Sequence, residues 1–152
     1  SKSDSTKSVR KRPSDENKGD DNFNKGFLDI PNLISVKRDD NNWVEMGFTK
    51  HSALVVDHNL GLGYTFYINN DNLFLLHEQK TNKSLDSEIL KKQYEYSLIL
   101  IGMSILNSEK EKIIKSENDN FDIYEMIKNF TSAISPSILN VINSLSPEIF
   151  KD

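Results

Sequence analysis

The run Tyr64-Thr65-Phe66-Tyr67-Ile68-Asn69-Asn70-Asp71-Asn72-Leu73-Phe74-Leu75-Leu76 divides the chain into two kinds of structure. Its first five residues have high β propensity, the property of side chains that fit a pleated, half-buried surface. Asn69-Asn70-Asp71-Asn72 is a turn built from residues whose short side chains bond nearby backbone. Leu73-Phe74-Leu75-Leu76 reads either as a last short strand or as the first turn of a helix. Back to Phe27 the pattern is strand-like, and beyond Leu76 it is helical.

Upstream, Leu33-Ile34-Ser35-Val36-Lys37 is apolar with partial alternation, and Asp39-Asp40-Asn41-Asn42 signals a turn. Trp43-Val44-Glu45-Met46-Gly47-Phe48 reads as the returning strand, with Gly47 as a bulge or bend. Ser52-Ala53-Leu54-Val55-Val56-Asp57 is a third strand, joined to Tyr64–Ile68 through the turn Asn59-Leu60-Gly61-Leu62-Gly63. Short strands linked by tight turns predict an antiparallel meander.

Downstream, Asp86 is placed to cap a helix with Glu88 in its first turn, where a carboxylate favours the helix dipole. Ile89, Leu90, Tyr94, Leu98, Ile101 and Ile105 recur at helical spacing. From Leu98 the helix is apolar on all sides, which predicts that it runs through the centre of the fold and ends near Asn107. Residues 109–120 are charged and read as an extension of that helix or as a loop. Asn120 or Asp122 caps the next helix, with Ile123, Met126, Ile127, Phe130 and Ile134 on one face. Ser135-Pro136 combines an N-cap with proline at the first helical position, predicting a further helix that buries Ile138, Leu139, Val141, Ile142 and Leu145. Ser146-Pro147-Glu148 repeats the signal for one last turn. Strands first and helices afterwards define an α+β class: an antiparallel meander in the first half packed against three or four C-terminal helices, one domain over residues 27–152.

Residues 1–26 contrast with this. They are Ser, Lys, Asp, Asn and Gly, with Val9 and Phe23 the only sizeable apolar groups. Such a segment buries too little surface to offset its conformational entropy and reads as a disordered tail or interdomain linker. Lys7, Arg10, Lys11 and Arg12 make its first half basic and could contact phosphates. A solvated tail is the plainer account.

The whole chain has 152 residues, a net charge of −4, 36% hydrophobic and 28% charged residues. A domain of about 125 residues buries roughly two-thirds of the surface its unfolded chain exposes, enough for one core. With no cysteine, disulfides, thiolate nucleophiles and Cys-ligated metal centres are excluded. A reducing, cytoplasmic setting is expected. The longest apolar run, Leu98 to Leu106, falls short of the ~20 residues of a membrane span, so no membrane partner is expected. The first residue is not Met and no secretory signal pattern follows, so the chain reads as a fragment or processed form of a longer parent. Heavy use of Asn, Lys, Ile and Ser suggests AT-rich coding.

Residue types with chemical potential are present but do not assemble into a motif. His51 and His58 flank Asp57 without a His-x-His or His-x-x-x-His metal spacing. His51, Ser52 and Asp57 have the side chains of a hydrolase triad. Neighbouring strand residues point to opposite faces, and no serine sits in a Gly-x-Ser-x-Gly elbow. Gly61-Leu62-Gly63 is half a dinucleotide fingerprint, followed by a strand where a helix is required. Asn69–Asn72 and Asn118-Asp119-Asn120-Phe121-Asp122 are oxygen-rich, but neither has the Gly and Glu register of a calcium loop. Tyr64, Phe66 and Tyr67 lack the interleaved basic residues of an RNA-binding sheet. Catalytic residues, metal ligands and cofactors are therefore all expected to be none.

Phe66 to Leu75, His77-Glu78-Gln79-Lys80 and Gln93-Tyr94-Glu95-Tyr96-Ser97-Leu98-Ile99-Leu100-Ile101-Gly102, following the Trp43 strand, have an order that resembles a segment late in large prokaryotic proteins. The upstream part of those proteins is a GHKL-type ATPase of the Hsp90 and gyrase B kind, or a subtilase-like region. The likeness spans residues 31–107. It implies a C-terminal accessory domain joined through residues 1–26, without the ATP site itself. Asp57-His58-Asn59-Leu60-Gly61 departs from the Asp-x-Gly-x-Gly box because Asn59 stands where the first Gly belongs.

The function expected is that of a non-catalytic accessory or interaction domain, docking to an upstream domain of its parent or to a second copy. The helical layer holds more apolar positions than so short a chain needs, and Phe130, Ile138, Ile142 and Phe150 are the candidates for an interaction surface. Two rival expectations are a nucleic-acid-associated module acting through the basic tail, and a small-molecule or metal-binding domain near His51, Asp57 or His77.

Overall fold

The computed structural model describes residues 29–110 and 121–145. Within them the order is β1 (Asn32–Val36), α1 (Asn41–Glu45), β2 (Leu54–Asn59), β3 (Gly63–Asn69), α2 (Leu73–Thr81), α3 (Ser87–Lys110) and α4 (Ile123–Ser144). The class is α+β, but the sheet is mixed, not an antiparallel meander. β3 is central, antiparallel to β2 and parallel to β1.

The difference begins at Trp43–Phe48, which forms α1 and a turn where a returning strand was expected. A strand would place Val44 on one face with Met46 and Phe48. One helical turn instead groups Trp43, Met46 and Phe48 against the sheet and leaves Val44 81% exposed. Trp43 and Phe48 stack with ring centres 5.7 Å apart. Gly47 closes the turn at φ +67°, a conformation that side chains with a Cβ disfavour. With no strand at 43–48, β1 pairs with the other available neighbour, the free edge of β3.

β2 and β3 form the expected hairpin, and Leu62 N–H donates to the Asn59 carbonyl across its tip. Their alternation serves two cores. Leu54, Val56, Phe66 and Ile68 face the helices, together with Leu75, Leu90, Tyr94, Leu98, Ile127 and Leu139. Val55 joins Val36 and Phe48 on the opposite face, with Ile34, Trp43, Met46 and Tyr67 packed around them. A sheet covered on both sides explains why its strands read as nearly continuous apolar runs.

The Asn69–Asn72 turn is the polar centre of the fold. Asn69 and Asn72 are fully buried. Asn69 Nδ2 donates to the carbonyls of Thr49 at 3.2 Å and Ser52 at 2.7 Å. Asn72 Nδ2 donates to the carbonyls of His51 at 3.2 Å and Ser52 at 3.0 Å. Asn72 Oδ1 accepts from the backbone N–H groups of Phe74 and Leu75, which makes Asn72 the N-cap of α2 and settles 73–76 as helix. Asn70 Nδ2 reaches Ser35 Oγ on β1, and Asp71 Oδ2 accepts from Arg38 N–H. Of the oxygens that suggested a cation, those of Asn69 (Oδ1), Asp71 (Oδ2) and Asn72 (Oδ1) are committed to backbone N–H groups, whereas the buried Oδ1 of Asn70 has no hydrogen-bond partner among the described residues.

α3 and α4 lie antiparallel beneath the sheet. Asp86 caps α3 through Glu88 and Ile89 N–H, and Asp122 caps α4 through Tyr124 and Glu125 N–H. Gly102 brings α3 against Phe66 and Leu54. α3 does not run through the centre: every fourth residue from Leu90 to Leu106 is buried, while Ile89, Tyr96 and Leu100 on the other side are 50%, 62% and 68% exposed. α4 is one helix, not two, with Pro136 in its interior. Ile127, Thr131, Ser135, Ile138 and Leu139 are buried on both sides of the proline, so packing overrides the break that proline favours. Residues 146–152, which include the expected last turn, lie outside the described residues.

Candidate interaction face

Tyr94 and Ser135 set the register of the two long helices. Both are buried, and their hydroxyl oxygens are 2.8 Å apart. Ser135 Oγ also reaches the Thr131 carbonyl at 2.7 Å, and Thr131 Oγ1 donates to that of Ile127 at 2.7 Å. Burial pushes the Tyr94 hydroxyl pKa up to about 12, partly opposed by the Ser135 bond.

Counting outward from this pair, Leu100 is six residues beyond Tyr94 and Phe130 five before Ser135, so the two stand about level in an antiparallel pair. Ile89 and Val141 match in the same way at the other end. Phe130, Val141 and Leu145 are 44%, 56% and 67% exposed. Between the helices runs a shallow groove of about 230 Å³, lined by Ser97 of α3 and by Ile134, Ser137, Ile138, Val141 and Ile142 of α4. Apolar groups thus extend over the outer surface of both helices.

This surface is also without charge. Residues 96–108 and 129–145 contain no Asp, Glu, Lys, Arg or His, in a chain that is 28% charged. Three of its serines are satisfied by their own helices: Ser97, Ser104 and Ser144 donate to the carbonyls of Gln93, Leu100 and Asn140. Covering them would strand few polar groups, so the usual penalty for burying hydroxyls is small. The Lys92–Glu95 ion pair, at 3.1 Å, lies beside the face between Ile89 and Tyr96, and the carboxylate raises the Lys92 pKa. Depletion of charge over 96–108 and 129–145 is a feature shared with the centres of protein interfaces.

Of the expected surface residues, Phe130 is exposed and Ile142 half-buried at the groove, whereas Ile138 is buried with only 8% exposed. Ile138 is therefore a floor of the groove more than a contact, because it lies on the flank of α4 nearest the core. Phe150 lies outside the described residues, as do Lys7, Arg10, Lys11 and Arg12. Leu100, Tyr96 and Val141 were not singled out as surface groups, because apolar helical periodicity was equated with burial. The two long uncharged stretches were the signal that could have revealed them.

The histidines are dispersed. His51 precedes β2 and tilts against Phe74 at 5.8 Å, while His58, toward the far end of β2, lies over Tyr64 at 4.6 Å. His77 is exposed on α2. Asp57 pairs in register with Thr65 on β3. Among the described residues no three His, Cys, Asp or Glu side chains come close enough to hold a metal ion. No helix among them is long and apolar enough to cross a membrane.

A second apolar feature is the β2–β3 tip, where Leu60 and Leu62 are 93% and 85% exposed beside a cleft of about 310 Å³ lined by Asp29, Ile30 and Gly61–Tyr64. It is a narrow projection, in contrast to the two-helix surface. No protein-family model, no curated protein and no solved structure matches this chain.

Proposed function

We propose that this chain is a non-catalytic interaction module, an accessory part of a larger protein that docks through the outer face of α3 and α4. The observation that carries this reading is the coincidence of exposed apolar side chains with an absence of charge over residues 96–108 and 129–145. A solvated helix face normally carries charged residues opposite its buried stripe. Here the outer face is furnished like the centre of an interface. The likeness of residues 31–107 to an accessory segment of multidomain ATPases or subtilase-like proteins points the same way.

The reading is tested by placing a photo-activated cross-linking residue at Leu100, at Val141 and, as a control, at the exposed Lys80 of α2 in cells that make the parent protein. Discrete adducts at the first two positions and none at Lys80 are expected. No adduct at Leu100 or Val141, or equal labelling at all three, would remove the basis for an interaction role.

A further inference from the structure

Resting on that reading, we infer that the occupant of the α3–α4 face is the same face of a second copy of this chain, related by a two-fold axis. Two-fold association requires a surface complementary to itself. A charged patch rarely satisfies this, because like groups meet across the axis. A face without charge over residues 96–108 and 129–145 satisfies it at little electrostatic cost, the exposed Lys92 near its Ile89 end being paired with Glu95 within its own copy, even though each copy carries a net charge of −4. An oppositely charged partner would gain nothing from such a surface.

The spacing is self-matching as well. Ile89 and Leu100 stand five residues before and six after Tyr94, and Phe130 and Val141 stand five before and six after Ser135. The apolar groups are therefore arranged nearly symmetrically about the Tyr94–Ser135 level. Ser97 and Ser137, near that level, are small enough to let helices of two copies approach, and the Ser97 hydroxyl is already bonded to Gln93.

The available area suits the purpose. The exposed parts of Ile89, Tyr96, Leu100, Phe130, Val141 and Leu145 amount to on the order of 600 Å². The surrounding Ser, Ala and Asn side chains bring this near the ~800 Å² per partner of a standard interface. The pair would form a four-helix layer between two outward-facing sheets.

The test is sedimentation of the whole chain from low to high micromolar concentration. Twice the monomer mass is expected at the upper end, with Leu100→Glu and Val141→Glu each sedimenting as monomers that retain native far-UV circular dichroism. Leu62→Glu, at the hairpin tip, is expected to leave association intact. Because the chain has no cysteine, Ser137→Cys supplies a single thiol, and a short bifunctional thiol reagent is expected to link two copies. A wild type monomeric throughout, or a dimer unaffected by both glutamates and not linked through Ser137→Cys, would overturn the inference. A monomer that still gives Leu100 and Val141 adducts of another mass in cells would refute the second copy alone. A monomer with no adducts would refute the interaction reading too.

Discussion

Gly102 of α3 and Phe66 of β3 are in such close approach that a Cβ added to the glycine would lie 2.7 Å from the ring's Cε2. It would also lie 2.8 Å from Leu54 Cδ2. Phe66 and Leu54 are both fully buried and have no space to retreat into. Gly102→Ala should gain about 1 kcal/mol in helix propensity and lose roughly 1–3 kcal/mol to overpacking. A net loss of stability of up to about 2 kcal/mol is expected in urea unfolding. A stabilised variant would show that α3 can lift from the sheet without loss.

Asn72 joins α2 to the 49–52 segment through both ends of one amide. Asn72→Ala removes the cap of α2 and leaves the His51 carbonyl without its side-chain donor, while the Ser52 carbonyl keeps only the Asn69 amide. A cap is worth ~1 kcal/mol, and each buried group left unpaired ~1–3 kcal/mol. A loss of about 3 kcal/mol is expected by chemical denaturation. Asn72→Asp keeps the acceptor but sets a buried carboxylate against two carbonyls, so its stability should recover as pH falls and the acid protonates. Identical pH profiles for the Asp variant and wild type would contradict this placement.

Tyr94 gives the helix pair an alkaline limit. The unfolded phenol ionises near the ordinary value of 10 and the folded one near about 12. The folded state holds its proton more tightly, so the contribution is complete below pH ~10 and disappears as pH rises through ~12. The loss is on the order of 2 kcal/mol over that window. Tyr94→Phe should cost about 1 kcal/mol at neutral pH and flatten the alkaline slope, as read from denaturation midpoints between those limits. An unchanged slope would place the titration elsewhere.

Pro136 is exposed within α4 and cannot donate to the Ser132 carbonyl. Pro136→Ala restores that bond with the best helix former. A gain of roughly 1–2 kcal/mol is expected in thermal or urea melts. A loss would show that the bend associated with proline is needed for α4 to follow the sheet.

The three strands and the hairpin turn were legible because β-branched and aromatic runs between Asn and Gly clusters have few other solutions. Helix caps at Asp86 and Asp122 were legible for the same local reason. The parallel pairing of β1 with β3 was not, since it joins residues distant in sequence and depends on what occupies 43–48. Trp43, Met46 and Phe48 fit a one-turn helix only because Val55 and Tyr67 present an apolar face to receive them. Ser135-Pro136 carried the local signs of a helix start, and burial on both sides of it prevailed. Of the proposed docking face, the apolar α4 groups Phe130 and Ile142 are legible in the sequence, whereas the exposed α3 groups Tyr96 and Leu100 are hidden by reading an all-apolar helix as an all-buried one.

The position of β1 bears on how the chain comes off the ribosome. Its partner is β3, so Asn32–Val36 is synthesised about 30 residues ahead of the backbone it must bind. At ~5–20 residues per second this is an interval of a few seconds. During it an uncharged Asn-Leu-Ile-Ser-Val segment has no sheet to join, whereas the β2–β3 hairpin can close as soon as it emerges. Nascent chains whose emerged part ends just short of Gly63 are where this protein is most exposed to capture by chaperones or by neighbouring chains.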